Sequence, residues 1–213
     1  MRRVSGEGAW LVRGRIGKGR LEALPALALV LLVSGCSLFR GPPPETFELS
    51  APDSIPRVTS GTAAQILIPE PSALKTLDSE RIVVATGPKL SYYPGAQWPD
   101  RMPKVFQAKA IEAFERSKRA RAVGRPGEGL SIDYQLLTTV RAFEYRSNGS
   151  DSSAYIEVSV KVMDDRNGRI VAARVFKGEA PVAKDSAEAV AAGVDDALAK
   201  VLIDLVRWTL TVI

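Results

Sequence analysis

The residue with the most reactive side chain in this sequence is Cys36, the sole cysteine among 213 residues. It follows Leu31-Leu32-Val33-Ser34-Gly35, the end of a short apolar run behind a basic stretch. Basic residues, an apolar segment and a small-residue cleavage site, in that order, make an export signal. A cysteine placed directly after the small residues is the acceptor in a bacterial lipid-attachment signal. The expected chemistry is S-acylation of the Cys36 thiol, cleavage between Gly35 and Cys36, and acylation of the new amino terminus. One acyl chain holds a protein marginally, at about 0.8 kcal/mol per buried CH₂; two or more anchor it stably. The segment from about Leu24 to Val33 is too short to span a bilayer as a helix, which takes about 20 apolar residues. Ser37 comes next. In Gram-negative bacteria an Asp there favours the inner membrane, so Ser37 points to the periplasmic face of the outer membrane.

Other chemistry is sparsely provided for. The chain has no histidine, so Ser-His-Asp and Cys-His nucleophilic catalysis have no base. With its single thiol acylated, neither a disulfide nor a cysteine metal site is expected. No Walker-type phosphate loop occurs; Gly124 to Gly129 lacks a following Lys-Ser/Thr. Asp164-Asp165-Arg166-Asn167-Gly168 reads as a hairpin turn, because the alternating ligands and distal Glu of a calcium loop are missing. No pair of carboxylates stands out. The expectation is no catalytic residue, no metal and no cofactor.

The net charge of +5 says little about partners. Six of the 29 basic and two of the 24 acidic residues lie in 1–35, which leaves 23 and 22 for the rest. The basic excess belongs to the export signal and does not indicate a nucleic-acid partner.

Three segments are expected: a removed signal at 1–35, a lipidated cysteine with a Pro-rich tether at 36–61, and one folded domain at 62–213. Pro42-Pro43-Pro44, Pro52 and Pro56 make the tether extended and semi-rigid. Phe47 and Leu49 interrupt it with alternating apolar character. Periodicity then predicts short strands at 65–69 and 81–86, a return strand at 89–93 after Gly87-Pro88, and a helix opening near Trp98-Pro99-Asp100 and ending near Ser117. Met102, Phe106, Ala110, Ala113 and Phe114 form its apolar stripe. A short strand is expected at 119–123.

Ile132, Tyr134, Leu136, Val140 and Ala142 alternate with polar neighbours, whereas Phe143 and Tyr145 shift the parity, so a β-bulge is expected near Ala142. Asn148-Gly149 and Asn167-Gly168 are turns, with strands over 156–162 and 170–178. A long helix is expected from Ser186 to Leu210, with Thr209 to Ile213 a final strand or docking tail. The fold class is α/β in the α+β sense: two layers, a largely antiparallel sheet with two amphipathic helices on one face. Tyr92, Tyr93 and Trp98 fall within seven residues at a strand-to-helix corner. They form either a core corner or an aromatic contact surface for a partner.

The order of these segments resembles a known family. The signal, Phe47-Glu48-Leu49-Ser50 after the prolines, Ile66-Leu67-Ile68-Pro69, the tract from Arg81 to Trp98, and Asp133-Tyr134-Gln135-Leu136 leading into Phe143-Glu144 are similar to the ABC-type transport auxiliary lipoproteins. Those are the lipoprotein partners of MCE phospholipid-transport systems. Tyr92-Tyr93 followed by Trp98 is the most specific part, and Phe47 stands where the family often has Tyr. The resemblance implies a non-enzymatic subunit whose partners are an MCE-domain protein, the membrane through its acyl chains, and phospholipid. A ring-shaped MCE partner invites a homo-oligomer. The alternative from another class is an envelope-assembly or Tol-like structural lipoprotein. Tyr92, Tyr93 and Trp98 are the candidate partner contacts.

Overall fold

The computed structural model describes residues 42–56 and 61–213. Gly35 and Cys36, with the cleavage and lipidation expected there, lie outside the described residues.

The sheet is organised around one long strand. β1 is Glu45–Thr46, β2 Gln65–Leu67, β3 Ser72–Ala73, β4 Arg81–Thr86, β5 Lys89–Gln97, β6 Ala122–Gly124, β7 Tyr134–Arg146, β8 Ser153–Asp164 and β9 Arg169–Pro181. The helices are α1, Met102–Ser117, and α2, Ala187–Val212. One edge of β7 pairs antiparallel with β8 along its length, and β8 pairs antiparallel with β9. The other edge of β7 receives β2, β3 and β4 in turn, all parallel to it. β5 pairs antiparallel with β4, β1 lies parallel to β5, and β6 lies parallel to β2. The result is a nine-stranded mixed sheet, antiparallel in its long hairpins.

The expected bulge is present. The β7–β8 register shifts between Val140 and Ala142. Leu136, Thr138 and Val140 are buried before it, and Phe143 and Tyr145 after it. One inserted residue, Arg141, restores the apolar side chains to the helix face, because side-chain direction alternates at every step. Facing them, Ala154, Ile156, Val158, Val160 and Val162 of β8 are fully buried.

Both helices supply the covering layer. α1 carries Pro103 in its first turn, where the missing N–H costs nothing. α2 opens on Ser186, whose hydroxyl accepts from the Ala189 N–H at 3.3 Å. Its buried stripe includes Val190, Val194, Leu198, Val201, Leu202 and Leu205. The segment from Thr209 is neither a strand nor a tail. The helix runs to Val212 because Thr209 and Leu210 continue the buried stripe.

The folded unit begins at Pro43, well before the boundary expected at residue 62. Leu49 is 1% exposed and Ala51 is also buried in the core. The segment is tied down along its length. The Phe47 N–H donates to the Gln97 carbonyl at 2.9 Å, the Ser50 N–H to Asp195 at 2.5 Å on α2, and Arg116 on α1 to the Ala51 carbonyl at 2.5 Å. Residues 45–53 are therefore a strap across the domain, and Pro52 belongs to it.

Candidate functional site

The aromatic tract was the main candidate, and strand geometry divides it. Tyr92 and Tyr93 are successive residues of β5, where the β4 register shifts just beyond Tyr92, and their side chains leave on opposite faces. Tyr92 pairs with Val83 on β4, which pairs with Glu144 on β7, which pairs with Tyr155 on β8. That row lies on the face opposite the helices. Tyr93 turns toward the helix face, where its ring meets Tyr145 edge-on at 6.3 Å. Burial, and then a hydrogen bond to Asp185 just before α2, push the Tyr93 hydroxyl above the usual tyrosine pKa.

Trp98 is a correction. It is 1% exposed and its ring meets Phe143 edge-on at 6.1 Å. Its backbone N–H donates to the Glu80 carbonyl at 2.7 Å, which fixes the corner before α1. Trp98 belongs to the core corner and has almost no exposed surface. Tyr92 and Tyr93 remain half-buried.

Around Tyr92 the outer face holds a lattice of charges that the sequence did not announce. The Arg81 guanidinium stacks on the Tyr92 ring at 3.8 Å, and that of Arg146 on Tyr155 at 3.4 Å. Arg146 also donates to Glu144 at 3.0 Å. The Tyr155 hydroxyl donates to Glu157 at 2.7 Å, and Arg141 and Lys177 approach the same carboxylate at 3.3 and 3.4 Å. Tyr155 first, then the two cations, hold Glu157 below the usual carboxylate range. Period-2 spacing signals that Tyr155 and Glu157 share a face, but their partners come from neighbouring strands and appear only when the sheet forms.

This face is chemically quiet. Its cations and carboxylates around Glu157 and Glu144 pair with one another. Among the described residues, no cluster of three or more His, Cys, Asp or Glu is gathered for a metal. No described helix is long and apolar enough to cross a membrane. A cleft of about 490 Å³ beside α1 is lined by Glu48, Glu70, Asp100, Lys104, Lys109 and Arg125 among others. Lys104 pairs with Asp100 and Lys109 with Glu48, so these charged groups are ion-paired beside the apolar Pro99, Val105 and Ala108.

A model of the ABC-type transport auxiliary lipoprotein component matches residues 47–206, from the strap to the last turns of α2. The chain belongs to this family. The auxiliary lipoprotein fold is shared with the crystal structure of protein XCC0632 from Xanthomonas campestris, 32% identical with a TM-score of 0.74, covering 78% of this chain and 95% of that one. An uncharacterized protein of Bradyrhizobium diazoefficiens is 30% identical over 164 residues, 77% of this chain but 44% of that protein. The chain thus matches less than half the length of that curated relative. A hypothetical protein of Chlamydia trachomatis, CT253, has the same fold at 8% identity, with a TM-score of 0.54 over 71% of this chain and 98% of that one. As a family member the chain is an auxiliary lipoprotein component associated with ABC-type transport, which implies attachment to a membrane of the cell envelope.

Proposed function

We propose that this auxiliary lipoprotein is a non-enzymatic, periplasm-facing subunit of an MCE-type phospholipid transport system, holding the MCE component at the outer membrane. The observation that carries the reading is the family match over 47–206, which takes in both the strap and the charged outer face. Cys36 is the anchor, acylated after cleavage behind Gly35. The strap shortens the tether from the 25 residues suggested by composition to Ser37–Pro44, because pairing to β5 starts at Glu45. Eight residues have a contour length of about 28 Å at most. Tyr92, with Arg81 stacked on it, is the aromatic residue best placed to meet the partner, since it lies on the face without helices.

The test is recovery of the full-length acylated protein from gently solubilised envelopes, with its partners identified by mass spectrometry. Co-recovery of an MCE-domain protein with its ATPase and permease is the expected result. Recovery of a β-barrel assembly or Tol-type proteins with no MCE protein would overturn the reading.

A further inference from the structure

The long edge strand β9 is built unlike the other margins of the sheet. β5 carries Pro94 and is partly covered by β1, and β6 is three residues long. Proline, short strands and covering segments are the usual protections of a sheet edge. β9 pairs only with β8 and has no proline from Arg169 to Ala180. The β8–β9 register shifts between Val162 and Met163, which makes Val171 an extra residue on β9; on either side of it the free edge presents alternate backbone N–H and C=O groups.

The side chains at one end of β9 are exposed and apolar. Among the described residues five large apolar side chains are strongly exposed, and three of them, Ile170, Val171 and Val175, lie on this strand at 47%, 48% and 38%. The apolar character continues inward over the outer face. Ile170 pairs with Met163, which pairs with Gln135, which pairs with Leu67; Ala173 pairs with Lys161 and Lys161 with Leu137. This half of the face is separate from the charge lattice around Glu157.

The charges select the occupant. From 169 to 181 the strand carries Arg169, Arg174 and Lys177 against Glu179 alone, a net of +2. Lys177 is engaged by Glu157, whereas among the described residues no ion pair forms at Arg169, Arg174 or Lys161. A second copy adding its own β9 would bring two such cationic strands side by side, and like charges across a strand pair are destabilising. An acidic partner strand has the opposite effect.

We propose that β9 takes up an extended segment of a partner protein as a tenth strand, through the backbone edge at 169–175. The segment alternates acidic side chains, set against Arg169 and Arg174, with apolar ones set against Ile170 and Val175, and Val171 is the extra residue between them. Strand addition of this kind draws affinity from the backbone and specificity from alternate side chains. The inference rests on this surface alone and holds whether or not the partner is an MCE component.

The experiment uses the full-length acylated chain in its own envelope. A photoreactive benzoylphenylalanine replaces Val171 or, separately, Val175, and the cross-linked segment is sequenced. The expected product is one protein segment with alternating acidic and apolar residues. Its yield should fall at least tenfold in Arg174→Glu and in Arg169→Glu, while circular dichroism and the unfolding midpoint stay unchanged. Because position 175 also reports, failure of one probe variant to fold leaves the other to decide. Cross-linking to a second copy, to lipid only, to a segment without acidic residues, or to nothing overturns the proposal. An MCE protein absent from the earlier recovery but an acidic segment found here would remove the transport reading and leave this one standing.

Discussion

Tyr92 and Tyr93, neighbours in the chain, serve opposite faces of the sheet. The Tyr92 hydroxyl donates to the Thr76 carbonyl oxygen at 3.4 Å, whereas the Tyr93 ring packs edge-on against Tyr145 at 6.3 Å. The same alternation, followed by a turn into the core, removes Trp98 from the surface. Replacing all three together would therefore unfold the protein and leave partner binding unread.

Single substitutions separate the roles. Trp98→Ala should cost about 3–5 kcal/mol by opening a large cavity. Tyr92→Ala should cost about 1 kcal/mol or less in stability, yet weaken capture of the MCE component by about 2 kcal/mol if Tyr92 is a hot spot. Urea unfolding of each variant, beside quantitative partner recovery, makes the comparison. Full recovery with Tyr92→Ala would remove Tyr92 from the interface.

Gly178 sets how closely α2 approaches the sheet. A Cβ at this position would overlap the Ala197 carbonyl oxygen and come within 2.8 Å of Val201. Gly178→Ala should destabilise the domain by about 1–3 kcal/mol through overpacking. Adding Val201→Ala should not restore stability, because the backbone carbonyl stays in place. A double variant as stable as the native chain in thermal unfolding would show that the side chain alone sets the spacing.

The strap makes a different claim. Leu49 is fully buried although it lies among prolines. Leu49→Ala should cost about 2–5 kcal/mol, the range for a core leucine. The same change in a free tether would cost nothing measurable. Amide exchange at Phe47 and Ser50, which donate to Gln97 and Asp195, should accelerate in the variant.

Glu157 gives a pH signature. Tyr155 and then the neighbouring cations hold its carboxyl below the ordinary range in the folded state. A depressed pKa contributes stability that is present above the unfolded value, about 4.3, and is lost as pH falls through the folded value. Glu157→Gln should lower Tm at neutral pH and flatten its fall below about pH 4.3. Tyr155 has the reverse sign: burial and then Glu157 raise its pKa. Its contribution is present below about pH 10 and lost as pH climbs through the folded value. Tyr155→Phe should flatten the alkaline side. Thermal melts across the pH range check both; an unchanged acid limb in Glu157→Gln would mean the network is screened by solvent.

Local pattern settled much of this protein. The Met102-to-Phe114 stripe, the run beginning at Ser186, and the parity break at Ala142 are short-range signals, and α1, α2 and the β7 bulge follow them. The resemblance of the tract from Arg81 to Trp98 to its family is likewise written in adjacent residues, as is the proposed acylation signal at Cys36. Tertiary structure decided whatever depends on residues far apart. Leu49 became core because α1 and α2 offer it a seat, and two apolar residues among prolines carry no periodicity of their own. Trp98 became core because Phe143, 45 positions later, lies beneath it. The Glu157 lattice draws on three strands, and the β9 edge is open because, among the described residues, β9 pairs with β8 alone. Alternation tells which side chains share a face; only the assembled sheet determines whether that face is covered, neutralised or left open.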